Sequence, residues 1–120
     1  MNTKVTYMYR DADNYKVQNE IVFQGQLTKK QTREIFAACN KTVENGFIPQ
    51  QVGLEPLYPR LQLHDTRDWD VDHPWHELLA IRSEKADPTM TVSIQSFYDL
   101  FVTMKDCWND AFKVGHILDK

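Results

Sequence analysis

Several features that usually identify an enzyme are missing from this sequence. It has no glycine-rich phosphate loop and no G-x-S-x-G nucleophile motif, and neither of its two cysteines lies near a histidine in the chain. No window approaches 18 consecutive apolar residues, and the first residues lack the apolar core of a signal peptide. We therefore expect a cytoplasmic protein without a membrane span, and we find no support for a standard catalytic motif.

Cysteine and clustered basic residues are also scarce. Cys39 and Cys107 are far apart and form no C-x-x-C pair, and each lies in an apolar helical pattern, which predicts two buried free thiols. The formal net charge is −3, and the most basic cluster is only Lys29-Lys30. Because nonspecific DNA binding needs a basic face, the charge argues against a nucleic-acid partner.

What is present is the composition of a folded domain. The chain has 120 residues, of which 42% are hydrophobic, 26% are charged and 12% are aromatic. This mixture is typical of a globular protein, and the length suffices to bury a core. We expect a single α+β domain over residues 1–120.

The first part of the chain has the pattern of a β-hairpin. Val5, Tyr7 and Tyr9 fall on one face of an alternating segment, residues 4–10, which predicts a strand. Turn-forming Asp and Asn residues follow at 11–14, and a second strand is predicted over residues 17–24.

Helical signals come next. Thr28 and Gln31 fit a capping box, and apolar residues recur at helical spacing until Asn45-Gly46, which predicts a helix from about 29 to about 44. A proline-rich apolar segment, residues 47–59, should pack over the core as a loop, because its prolines oppose helix and central strand. Further strands are predicted over residues 61–64 and 76–82.

The C-terminal part predicts a second helix with a broad apolar face. Thr91 or Ser93 would cap it, although residues 90–94 also fit a strand. Its apolar positions are Ile94, Phe97, Tyr98, Leu100, Phe101, Met104, Trp108 and Phe112. The element order is then β-β-α-β-β-α, which predicts a two-layer α+β domain with a mostly antiparallel sheet and two helices on one face.

Four motifs resemble those of a family of small uncharacterised bacterial proteins. In chain order they are YRD at 9–11 and NYK at 14–16, which together read YRD-x-x-NYK, then F-[IV]-P-x-x-V-G at 47–53 and DH-x-WHE at 72–77. The resemblance covers about the first two-thirds of the chain and implies no activity. The C-terminal helix is longer than in that family, so its last turns serve either the role common to the family or one of their own, such as self-association.

The richest chemistry lies in one short segment. Asp72, His73, His76 and Glu77 are of the residue types that bind zinc, iron or manganese, so a divalent metal is one hypothesis. Pro74 argues against a helix there, and on a regular strand the two histidines would point to opposite faces. The alternative interpretation is structural: the segment begins a strand, and its polar atoms bond to nearby backbone.

A second set of residues forms a candidate binding surface near the hairpin turn. Its members are Tyr9, Arg10, Asp11, Asn14, Tyr15, Lys16 and Trp75. The functional interpretation is a site for an anion or peptide, with Arg10 as donor. The structural one is that Asp11 and Asn14 shape the turn and Arg10 pairs with a carboxylate. We also predict that Arg10 or Lys16 meets Asp72 or Glu77 across the sheet.

Three hypotheses for function follow. The favoured one is a non-enzymatic binding or interaction protein without a cofactor, with a protein or small-molecule partner and possible homodimerisation through the C-terminal helix. The first alternative is a small metal-dependent enzyme built on the segment around His73 and His76. The second is a regulatory protein associated with a mobile genetic element, which needs a basic patch that the composition does not promise.

Overall fold

The structure is a computed structural model that describes residues 1–11, 14–61 and 73–109. Its elements are β1 (Asn2–Arg10), β2 (Lys16–Phe23), α1 (Lys29–Ala38), β3 (Gly46–Phe47), a 3₁₀ helix (Pro49–Val52), α2 (Tyr58–Leu61), β4 (His76–Glu84) and α3 (Ile94–Thr103). Within the described ranges, every helix is too short or too polar to cross a bilayer.

The four strands form one antiparallel sheet in the order β2-β1-β4-β3. Because side chains alternate along a strand, Val5, Tyr7 and Tyr9 of β1 point to the same face, where they join a core shared with α1 and α3. Both longer helices therefore cover one face of the sheet, and the predicted two-layer α+β fold is confirmed.

Helix α1 begins where the sequence predicts but ends earlier. The capping box is present, with Thr28 and Gln31 each bonded to the other's backbone amide. The helix stops at Ala38 instead of near residue 44, because Asn40 offers the chain another partner: its Oδ1 accepts from the amides of Thr42 at 2.8 Å and Val43 at 3.3 Å. An Asn side chain that bonds to nearby amides favours a turn over continued helix.

The third strand lies at a different place from the predicted one. It is the short β3 at Gly46–Phe47, whereas Leu61, where we predicted a strand to begin, ends α2. Residues 62–64 of that prediction lie outside the described residues. The chain can turn tightly into β3 because Gly46 has no Cβ, which would lie 2.7 Å from Val43 Cβ.

The proline-rich segment packs over the core as predicted. Val52, Leu54 and Leu57 are all buried in the main hydrophobic cluster. The expectation of a loop without helix is wrong in detail, because Pro49 opens the 3₁₀ helix and Pro59 lies in the single turn of α2. Proline is tolerated in a first helical turn, where its missing N–H would have no intrahelical partner.

Helix α3 is capped by Ser93, whose hydroxyl accepts from the Ser96 amide at 3.1 Å, so the strand interpretation of residues 90–94 is wrong. Of the predicted apolar face, Ile94, Phe97 and Phe101 are buried, whereas Leu100 is exposed. The helix ends at Thr103, and Met104 and Trp108 pack against the core beyond it. Phe112 lies outside the described residues.

The two cysteines have different environments, and both are free thiols. Cys39 is buried as predicted, and burial raises the pKa of its thiol to about 12. Cys107 is exposed, so its predicted burial is wrong. The physical reason is that α3 has already ended, and Cys107 lies in the turn that follows it, where the helical periodicity no longer applies.

Strand β4 contains a bulge and a free edge. Thr6 pairs with Ala80 and Tyr7 with Leu78, which leaves Leu79 as an extra residue without a partner on β1. On the opposite side of β4, β3 pairs with His76 and Glu77, and the Leu78 amide donates to Asn45 O at 2.9 Å. Among the described residues, no strand pairs with that side of β4 from Leu79 to Glu84.

Candidate functional site

The segment around His76 forms the centre of a buried aromatic cluster. His76 pairs with Phe47 of β3 at the start of β4, and its side chain is fully buried on the helix-covered face. The Tyr9 ring lies 4.9 Å from the His76 ring and 5.1 Å from the His73 ring, and 5.7 Å from the Tyr58 ring. We call Tyr9, Tyr58, His73 and His76 the polar hub.

Both ring nitrogens of His76 are bonded to backbone. The Leu57 amide donates to Nε2 at 2.9 Å, so Nε2 holds the lone pair and Nδ1 carries the proton, which is donated to Pro74 O at 3.1 Å. Burial, together with the nearby His73, lowers the pKa of His76 to about 3. The imidazole is therefore neutral at physiological pH.

His73 is tied down in a similar way. The Trp75 amide donates to His73 Nδ1 at 3.1 Å, which leaves Nε2 to donate its proton to Arg10 O at 3.0 Å. The Tyr9 hydroxyl also donates to the His73 backbone carbonyl, at 3.0 Å. Pro74 bends the chain, so both histidine rings contact Tyr9, but their nitrogens are directed to backbone groups and not to a common point.

These bonds bear directly on the metal hypothesis. A neutral histidine binds a metal through a ring-nitrogen lone pair, and in His73 and His76 that lone pair already accepts an amide proton. Among the described residues, no group of three or more His, Cys, Asp and Glu side chains could hold a metal ion. Asp72 lies outside the described residues. The arrangement of the two histidines supports the structural interpretation.

Arg10 connects the polar hub to the hairpin turn. Its Nε donates to Glu77 Oε2 at 3.1 Å, and its Nη1 donates to Asn14 Oδ1 at 2.8 Å. The predicted contact between Arg10 and Glu77 across the sheet is therefore present. Lys16 makes no ion pair with the residues that the structure describes. Because Glu77 and Asn14 accept from Nε and Nη1, the Arg10 guanidinium is held in place and these two donors are already used.

The candidate binding surface at the hairpin divides into two parts. Asp11 and Asn14 shape the turn: Asp11 Oδ1 accepts from the Tyr15 amide at 2.9 Å, and Asn14 has a left-handed φ of 69°. Tyr15 is 67% exposed and Lys16 is exposed as well. Tyr9 and Trp75, in contrast, are buried, so they contribute to the interior and not to this surface.

Sequence reasoning missed the loop residues that complete the polar hub. Leu57 supplies the amide for His76, and Tyr58 packs its ring against His76 and Tyr9. The Tyr58 hydroxyl accepts from Gln50 Nε2 at 2.8 Å. No local pattern marks these contacts, because they join a proline-rich loop to a strand that begins 19 residues after Leu57.

Sequence reasoning also missed a cleft at the free edge of β4. The cleft has a volume of about 410 Å³ and lies between this edge and α1. We call it the edge cleft. The residues that line it are Thr3, Leu27, Lys29, Thr32, Arg33, Ile81, Arg82 and Ser83. The basic pair Lys29-Lys30 was the only sequence signal near it.

The charged residues that line the edge cleft are all positive. Lys29, Arg33 and Arg82 line it, and the lining includes no carboxylate among the described residues. Within the described part of the chain, none of these three cations is in an ion pair, since the ion pairs there use Lys4, Arg10 and Arg60. A protein with a net charge of −3 thus has a local concentration of positive charge.

No protein-family model, curated protein or solved structure matches the chain. The resemblance of its motifs to a bacterial family therefore stays a prediction. What the fold and the two sites define is a small antiparallel α+β protein with a closed polar hub and an open, cationic edge cleft.

Proposed function

We propose that this chain is a non-catalytic binding protein and that its partner binds at the edge cleft. The polar hub offers little for catalysis, because its histidine nitrogens are bonded to backbone amides and carbonyls. The edge cleft has the opposite property, since its charged groups have no ion-pair partners among the described residues.

One observation carries the proposal: an open strand edge lies beside three cations without ion-pair partners in the described part of the chain. A free edge exposes backbone donors and acceptors that can pair with another chain, and proteins normally cover or blunt such an edge. The outer edge of β2 is partly covered in this way, because Val22 exchanges bonds with Thr89 through its amide and its carbonyl. The free part of β4 has no such cover among the described residues.

A peptide library displayed on phage, selected against the immobilised intact chain, tests the proposal. Bound peptides of any sequence should shift the amide NMR signals of Ile81 and Ser83. The peptides enriched on the wild type should not bind the double variant Arg33→Glu/Arg82→Glu, because the reversed charges lie at the cleft. Lys30→Glu/Lys105→Glu is the matched control, since it makes the same change in net charge at exposed residues outside the cleft lining.

The result that contradicts the proposal is equally specific. If no peptide is enriched, or if enriched peptides shift signals elsewhere and bind both double variants equally, the edge cleft is not the binding site. Circular dichroism of both variants confirms that each is folded before the comparison is made.

Metal analysis tests the rival enzyme hypothesis. The chain, purified without a histidine tag, should contain no stoichiometric zinc or iron, because the ring lone pairs of His73 and His76 are already used. Stoichiometric metal that disappears in the His73→Ala/His76→Ala variant would overturn the non-catalytic proposal.

We also propose that the chain forms a homodimer and that it is located in the cytoplasm. A homodimer through the C-terminal helix is supported by the exposure of Leu100 on α3, at 43%. Sedimentation of the intact chain against Leu100→Glu tests it, because a dimer through α3 should dissociate in the variant, and a monomeric intact chain removes the idea. A cytoplasmic location is supported by the two free thiols, which suit a reducing compartment.

A further inference from the structure

We infer that the edge cleft binds an extended, acidic segment of a protein partner, which pairs with β4 and extends the sheet by one strand. This inference rests on the proposed function and names the partner's chemistry at the same site. Three properties of the cleft support it: the direction of the backbone groups of β4, the length of the free edge, and the charge and apolar content of the lining.

The direction of the backbone groups follows from the pairing of β1. Val22 bonds to Thr89 through both its amide and its carbonyl, so it points away from β1, and its partner Lys4 must point toward β4. The alternate residues Thr3 and Val5 then bond to β2. Their partners on β4, Ser83 and Ile81, therefore point their backbone groups away from β1.

Those outward groups lie on the free edge of β4, which borders the cleft. Ile81 and Ser83 both belong to its lining, so their N–H and C=O groups lie where a further strand would pair. Leu78 shows that this side of β4 forms such bonds, because its amide donates to Asn45 O at 2.9 Å. A strand that continues past β3 along the same edge would meet Ile81 and then Ser83.

The free edge is long enough for specific recognition. From Leu79 to Glu84 it accommodates an extended segment of about six residues, or about 20 Å. Partners that add a strand gain affinity from main-chain bonds and specificity from alternate side chains. The bulge at Leu79 marks the start of this stretch.

The lining defines which segment fits. Lys29 and Arg33 line the cleft from α1, whereas Arg82 lies between Ile81 and Ser83 on β4, so its side chain is on the other face of the same edge. A strand added at this edge would therefore meet positive charge on both of its faces. Glu34 and Glu84 are each next in sequence to a lining residue, but neither lines the cleft. Glu34 accepts from the Tyr98 hydroxyl at 2.7 Å, and Glu84 pairs with Lys4 at 3.4 Å. Because no carboxylate among the described residues neutralises the lining, acidic side chains are favoured and basic ones are repelled.

The edge cleft also has apolar residues in its lining. Leu27 and Ile81 line the cleft and are only partly buried. Side chains alternate along an added strand, so a segment of alternating acidic and β-branched residues can present its β-branched set to Leu27 and Ile81 on one face and its acidic set to Arg82 on the other. The β-branched residues also favour the extended conformation. The chemical class is an acidic, extended peptide.

The probe is a fluorescein-labelled, end-capped hexapeptide of alternating Glu and Val, with the alternating Lys and Val hexapeptide as its counterpart. Fluorescence anisotropy with the intact chain should show binding of the Glu peptide only. Affinity should fall at least about tenfold in Arg33→Glu/Arg82→Glu and change less than about twofold in Lys30→Glu/Lys105→Glu.

A backbone test separates strand addition from simple charge attraction. Two further Glu-Val peptides carry N-methyl groups on alternate amides, one on the odd and one on the even positions. In an added strand only one of these two sets faces β4. One methylated peptide should therefore lose binding, and the other should bind like the parent peptide.

Each contrary outcome overturns the inference in a distinct way. Equal binding of both methylated peptides excludes strand addition, and unchanged affinity in Arg33→Glu/Arg82→Glu excludes the cleft. Stronger binding of a single-stranded RNA oligonucleotide or of inorganic phosphate at the same residues would show a different kind of ligand. If the Glu-Val peptide fails while the phage library yields other peptides at Ile81 and Ser83, the inference fails and the proposed function stands.

Discussion

The polar hub and the edge cleft differ in how their polar groups are satisfied. In the hub, His73 and His76 use both ring nitrogens in bonds to backbone. In the cleft, Lys29, Arg33 and Arg82 have no ion-pair partner among the described residues. The contrast teaches that a concentration of reactive residue types in a sequence does not locate a binding site, because such residues can be fully used in holding the fold together.

Replacing His76 by alanine should have the largest effect. His76→Ala removes the acceptor of the Leu57 amide and leaves a cavity among the rings of Tyr9, Tyr58 and Phe47. We expect a loss of about 3 kcal/mol or more in the free energy of unfolding, measured by urea denaturation. His76→Gln keeps an acceptor and should lose clearly less. Equal losses in the two variants would mean that the Leu57 bond contributes nothing.

Lowering the pH should have the next largest effect. In the folded state the pKa of His76 is about 3, against an ordinary value of 6.5, so between about pH 6.5 and pH 3 the unfolded chain takes up a proton at this residue and the folded chain does not. The free energy of unfolding should therefore fall as the pH falls, by up to about 1.4 kcal/mol per pH unit from this residue.

Urea denaturation between pH 6.5 and pH 4.5 measures this effect, with His76→Gln as the control. The variant lacks the titrating ring, so its stability should depend less on pH than that of the wild type. Parallel curves for the two proteins would show that His76 is not the group whose protonation is suppressed by folding.

Breaking the pair between Arg10 and Glu77 should have a smaller effect. The Arg10 side chain is 41% exposed and that of Glu77 is 19% exposed, so water screens part of their attraction. A double-mutant cycle with Arg10→Gln and Glu77→Gln should give a coupling of about 0.5 kcal/mol. A coupling of several kcal/mol would show that this pair stabilises the fold as strongly as the contacts of the polar hub do.

Removing the cations of the edge cleft should have the smallest effect on stability. Arg33→Ala and Arg82→Ala each remove an exposed side chain without an ion-pair partner among the described residues. We expect changes within about 0.5 kcal/mol in the free energy of unfolding. A loss comparable to that in His76→Ala would show that these residues hold the fold together, which would weaken the case for a binding site.

Local signals in the sequence were sufficient for much of the fold. The alternation of Val5, Tyr7 and Tyr9 and the capping box of Thr28 and Gln31 predicted β1 and the start of α1, because each depends on residues close together in the chain. The early end of α1 was not predicted, since helical periodicity continued through residues that Asn40 instead holds in a turn.

The candidate site was only partly predictable. The contact between Arg10 and Glu77 could be anticipated from the pairing of polar strand ends. The bond between Leu57 and His76 could not, because it depends on the path of a loop and not on any repeating pattern. The edge cleft depends on where β3 stops pairing with β4, and a sequence pattern for one strand does not reveal how far its neighbour extends.

The bulge at Leu79 has a consequence for contact between copies of this chain. Flat strand edges readily pair with their own kind and start aggregation, and a bulge twists the edge away from that geometry. Two such edges side by side would also place the Arg82 side chains of the two copies on neighbouring strands, where like charges repel. The bulge and the like charges therefore both disfavour fibre-like growth through this edge, and neither opposes pairing with a partner of opposite charge.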